Sequence, residues 1–161
     1  MLEINQIRVD DDVLSSVINE TFLSDSKKID IFIEAERFDN IDAEVSRFLD
    51  AVNYFISHKE GIEKLVIDKA FEYYCDNVLT KKLLYEQVFE ITIDPLSLAE
   101  EVGRLIRLVK IYIDLETDCP SNMGLSFDCY WDPEHGLGIK LRNLNECEIG
   151  GRYCFSIKSH E

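Results

Sequence analysis

The sequence predicts an α+β fold, in which an antiparallel sheet of N-terminal strands plus a C-terminal meander carries two to three helices on one face. Three observations predict it. Apolar residues alternate at period two over 28–36 and 105–116, and they recur at helical spacing between 41 and 78. Most of the seven glycines fall after residue 100, where short strands need turns.

Taken in order, residues 2–9 and 12–20 read as strands joined by a turn at Asp10, Asp11 and Asp12. Between Lys28 and Glu36, Ile29, Ile31, Ile33 and Ala35 share one face, while Asp30, Phe32, Glu34 and Glu36 share the other. Asp39 and Asn40 are suitable N-caps for a helix whose stripe is Ile41, Val45, Phe48, Leu49, Val52, Phe55 and Ile56. His58 to Gly61 interrupt it, and a second stripe runs from Ile62 through Leu65, Val66, Ala70, Tyr73 and Tyr74. Residues 83–93 read as an apolar, strand-like run. Asp94-Pro95 then opens a short helix, with Ser97 and Glu100 at capping-box spacing and Gly103 at its end. Leu105 to Glu116 is a long strand with Val109, Ile111, Ile113 and Leu115 on one side and Lys110, Tyr112, Asp114 and Glu116 on the other. A turn at Pro120 and Asn122 leads to strands at 125–131, 137–141, 146–149 and 153–157. Residues 1–161 form one domain.

The chain has 161 residues, 46% hydrophobic, with 17 Lys and Arg against 32 Asp and Glu, a net charge of −15. That length buries a core without staples, and the apolar fraction is too high for a disordered acidic chain. No run is long and apolar enough to span a bilayer, and the N-terminus lacks the basic and apolar regions of a signal peptide, so a cytoplasmic address is expected. The negative charge argues against nucleic acid and anionic membranes, which need a basic footprint, and favours steering of a basic protein partner. The five cysteines include no C-x-x-C pair, and the spacings Cys119-x9-Cys129, Cys129-x5-His135 and Cys147-x6-Cys154 match no zinc knuckle. They read as reduced, small apolar side chains, and no metal or cofactor is expected.

The least generic stretch is Cys129-Tyr130-Trp131-Asp132-Pro133-Glu134-His135-Gly136-Leu137-Gly138. It reads as a structural hairpin: Asp132 and Pro133 start a type I turn, Gly136 takes the left-handed conformation that closes the loop, Gly138 allows a close approach or bulge, and Trp131 is a buried anchor. Asp132, Glu134 and His135 are also acid–base and metal-ligand types, which leaves a small hydrolase or metal-dependent enzyme as the alternative. Trp131-Asp132-x-Glu134-His135-Gly136-Leu137-Gly138, followed by Ile149-Gly150-Gly151 and preceded by Phe71-Glu72-Tyr73-Tyr74, resembles an uncharacterised family of small acidic bacterial proteins. The resemblance covers roughly the last two-thirds of the chain. It implies a helix-rich middle, a strand-rich end and a role as an immunity protein in a bacterial toxin system. The chain departs from that family after Gly151, with Arg152-Tyr153-Cys154 in place of a Gln-Asp pair.

The outward faces of the two clearest strands suggest where a partner binds. Asp30, Glu34, Glu36, Asp114 and Glu116 would form an acidic patch with Phe32 and Tyr112 as apolar anchors, Tyr130 as a further anchor, and the Asp10, Asp11, Asp12 turn as an outlying contact. Each of these residues also has the plainer reading of a solvated surface position. The functional expectation is a non-enzymatic immunity or inhibitor protein that occludes a basic toxin domain, such as a nuclease. A regulatory homodimer, paired through an exposed sheet edge, is a third reading.

Overall fold

The computed structural model describes residues 7–10, 13–23, 25–34, 40–113, 119–144 and 146–152, with the backbone alone at 25–28, 32–34 and 146. Seven strands form one sheet in chain order: β1 (Arg8–Asp10), β2 (Val13–Phe22), β3 (Asp25–Glu34), β4 (Ile106–Ile113), β5 (Met123–Cys129), β6 (Leu137–Arg142) and β7 (Glu146–Gly150). Every pairing is antiparallel except β3 with β4, which run parallel through Asp30–Lys110, Ile31–Ile111 and Phe32–Tyr112. A parallel pair needs a long crossover, and the helical layer supplies it. The expected strand at 153–157 lies outside the described residues.

Period-two alternation makes the sheet two-faced. Across its inner face, Ile31, Ile111, Leu125, Ile139 and Ile149 stand in one register row. The first four are buried and Ile149 packs half-buried against them. Helix α1 (Ile41–Ser57) lays Phe48, Ala51, Val52 and Phe55 on the core, and Phe55 stacks on Phe22 of β2 with ring centroids 5.6 Å apart. Asn40 caps it by accepting from the Ala43 N–H at 3.3 Å, and Asp42 and Glu44 suit the positive end of the helix dipole. Ile41, expected in the buried stripe, is 38% exposed because it precedes the first full turn. Helix α2 (Lys59–Tyr73) follows at once and buries Ile62, Val66 and Ala70. Its Glu63 carboxylate accepts the Leu23 N–H at 2.8 Å, fixing the end of β2.

Three sequence expectations need correction. The run after residue 82 begins with a helix: a π-helical turn at Tyr74–Val78 and a 3-10 turn at Leu79–Lys81 carry α2 into α3 (Lys82–Phe89). A short apolar run does not separate strand from helix, and here Leu, Glu and Gln continue a helix already formed. The short helix also starts later than Asp94-Pro95, as a 3-10 segment at Ala99–Arg104. Glu101, not Glu100, turns back to accept the Ser97 and Leu98 N–H groups at 2.7 and 3.0 Å. Finally, a β-bulge interrupts β4, since Leu108 pairs with Phe127 and Lys110 with Ser126, leaving Val109 as the extra residue. Leu108 and Ile106 are therefore buried along with Ile111 and Ile113, while Val109 is only half-buried.

No helix among the described residues is long and apolar enough to cross a membrane.

Candidate functional site: the outer sheet face, the Trp131 hairpin and helix α3

The expected acidic patch falls on the outer face of the sheet, where its described part carries both signs of charge. Asp30 stands opposite Lys110, an opposite-charge pairing set by the parallel register. Farther along the sheet Arg107 pairs with Asp128, and Lys140 lies opposite Glu148, which Arg142 approaches to 3.5 Å. Phe32 and Tyr112 are register neighbours, as expected, and Glu34 lies opposite Val13. Asp10 is exposed at the edge of the sheet. Asp11, Asp12, Glu36, Asp114 and Glu116 lie outside the described residues.

Asp128 is held from two sides, by Arg107 and by Arg152. Partial burial works to raise its carboxyl, but hydrogen bonds and charge from both guanidinium groups outweigh this and hold it below the usual carboxylate range. Arg152 also donates to the Phe127 carbonyl at 3.2 Å, and its backbone N–H donates to the His135 carbonyl at 3.1 Å. Arg152 thus clamps the hairpin; no local motif marks it as a clamp. A shallow cavity of about 510 Å³ opens alongside, lined by Leu23, Arg104, Leu105, Arg107, Asp128 and Tyr130. Tyr130, 46% exposed, lines this cavity together with Arg104, Arg107 and Asp128.

The hairpin between β5 and β6 is built as its sequence predicts. Gly136 has φ +63°, and its N–H donates to the Asp132 carbonyl at 2.8 Å. A Cβ at Gly136 would collide with the Phe127 carbonyl and lie 2.6 Å from the Arg152 guanidinium, so the site needs glycine twice over. The Asp132 carboxylate accepts the His135 N–H at 2.9 Å and lies 3.0 Å from His135 Nδ1. Pro133 and Glu134 are exposed at the tip. Trp131 is fully buried, edge-on to Tyr74 at 5.3 Å, and the Tyr74 hydroxyl donates to the Asp94 carbonyl at 2.8 Å. Gly138 is buried and in register between Ser126 and Gly150, with no bulge there.

As chemistry, the tip offers one Asp–His pair. Among the described residues, no three His, Cys, Asp or Glu side chains come together to hold a metal ion. Cys75, Cys119, Cys129 and Cys147 are free thiols. Burial pushes Cys129 up to about 12 and Cys147 up to about 11, so neither supplies a thiolate at neutral pH.

One surface feature escaped the sequence reading. Helix α3 buries none of its residues; Leu83, Leu84 and Val88 are 72%, 57% and 59% exposed, and Leu98 in the following segment is 62% exposed. Misreading this stretch as a strand hid its helical faces.

The molecule is thus a single-sheet α+β protein whose polar clusters brace its own backbone. Residues 3–156 match the family described as Domain of unknown function (DUF6985), and the chain belongs to that family. Neither a curated protein nor a solved structure matches it.

Proposed function

We propose that this protein is a stoichiometric binding protein for a basic polypeptide, acting as a cytoplasmic immunity or inhibitor protein that covers a basic toxin domain such as a nuclease. The observation that carries this reading is the net charge of −15. Such a charge accelerates encounter with a basic surface and repels nucleic acid from the covered partner. The resemblance of the Trp131 hairpin region to suspected immunity proteins points the same way.

The experiment is a pull-down with the tagged full chain from its native host at low salt, with mass spectrometry and a salt elution. A basic protein in stoichiometric amount, released by salt, is the expected result. Recovery of the bait alone, from cells expressing the neighbouring genes, overturns the reading.

The enzyme alternative has one observation in its favour, the Asp132–His135 pair at 3.0 Å with an exposed imidazole. A hydrolytic activity lost in His135→Ala, with the fold retained, would establish it.

A further inference from the structure

Helix α3 carries apolar residues on both of its sides. Lys82, Tyr85, Glu86 and Phe89 share the side turned toward the protein and are half-buried, whereas Leu83, Leu84, Gln87 and Val88 share the side turned to solvent. The inward orientation is fixed by specific contacts. The Glu86 carboxylate accepts the Ile93 N–H at 2.9 Å and sits 3.5 Å from Lys82 Nζ, and Tyr85 stacks on Phe89. Rotating the helix to bury its leucines would break the Glu86 bond that holds the returning chain.

Of the eight large hydrophobic residues exposed among the described ones, four lie between 83 and 98. Three of them, Leu83, Leu84 and Val88, share one exposed face of α3, and an apolar face of this kind on a protein surface marks an interaction site. The net charge of the chain selects its occupant. Locally, exposed Glu90 and Asp94 follow the helix, and Lys81 and Lys82 stand at its start. A second copy would bring another −15 against this surface, whereas a basic partner meets complementary charge.

We infer that the outward face of α3, formed by Leu83, Leu84 and Val88, is the docking ridge for a basic polypeptide that inserts apolar side chains there, an inference that rests on the binding function proposed above. Charge brings the partner in and the ridge holds it, so the ridge governs dissociation more than encounter.

The test uses the full chain and two fluorescent lysine-rich peptides of equal length and charge, one with leucines at helical spacing and one with serines in their place. At low salt the leucine peptide should bind the wild-type chain about tenfold more tightly than the serine peptide. Leu84→Ser/Val88→Ser should erase that difference and leave serine-peptide binding unchanged. Both positions are exposed, so the double variant should melt within a few degrees of wild type, and circular dichroism checks this. Equal binding of the leucine peptide by variant and wild type overturns the ridge while leaving the basic-partner reading in place. Failure of both peptides to bind the wild-type chain overturns that reading, and the ridge with it. A wild-type dimer by light scattering that becomes monomeric in the double variant assigns the ridge to a second copy and overturns the proposed occupant.

Discussion

The Trp131 hairpin and helix α3 lie on opposite sides of a distinction between residues the fold consumes and residues it leaves over. The hairpin tip holds the types from which active sites are made, yet Asp132 receives two backbone N–H groups, one on its carbonyl and one on its carboxylate, and Trp131 is sealed against Tyr74. Helix α3 has no such types on its outward face, yet its leucines stand in solvent while a glutamate faces inward. Residue type alone would single out the hairpin and pass over α3, although the outward leucines of α3 are at least as available to a partner.

Mutations can break this comparison, and the largest effects belong to the hairpin. Trp131→Ala should cost about 3–5 kcal/mol, read as a fall in the denaturant midpoint, because it empties a fully buried ring site. Gly136→Ala should cost about 2–4 kcal/mol, from a left-handed φ and a Cβ driven into the Phe127 carbonyl; a loss below about 1 kcal/mol would mean the loop relaxes freely.

Asp128 gives the intermediate case. Its carboxyl titrates below its unfolded value, so folding favours the deprotonated form. That contribution is fully present above about pH 4 and is lost as pH falls through the depressed value. Asp128→Asn should therefore lower the melting temperature at pH 7, and the gap to wild type should narrow toward pH 3. A gap constant with pH would detach the two arginines from acid stability. The smallest effect belongs to α3, where Leu84→Ser/Val88→Ser should change stability by no more than about 0.5 kcal/mol. A loss above about 2 kcal/mol would show that the leucines serve the fold, and the two regions would cease to differ.

Much of this architecture was legible in the sequence. The α1 stripe, the alternation in β3 and the Asp132-to-Gly136 turn are local patterns, and each forms where periodicity or turn chemistry places it. What escaped reading depends on partners distant in sequence. The bulge at Val109 exists only relative to β5, and Asp30 meets Lys110 only because β3 and β4 run parallel. The Arg152 clamp closes on Asp128 across 24 residues. For α3, the local apolar run was visible, but which side of it faces the protein depends on Glu86 reaching Ile93.

The seam between β3 and β4 has a kinetic consequence. Among the described residues it is the sheet's one parallel junction and spans three register pairs, whereas ten join β2 to β3 and seven join β4 to β5. Each flanking ribbon can zip through nearby antiparallel turns, but the seam must close a loop that contains the entire helical layer. The two ribbons should therefore be early units and the seam a late one. In pulsed amide exchange during refolding, amides bonded across the seam should gain protection after those bonded within the β2–β3 and β5–β6 pairs, making assembly of the helices onto both ribbons the step that commits the chain to its native topology.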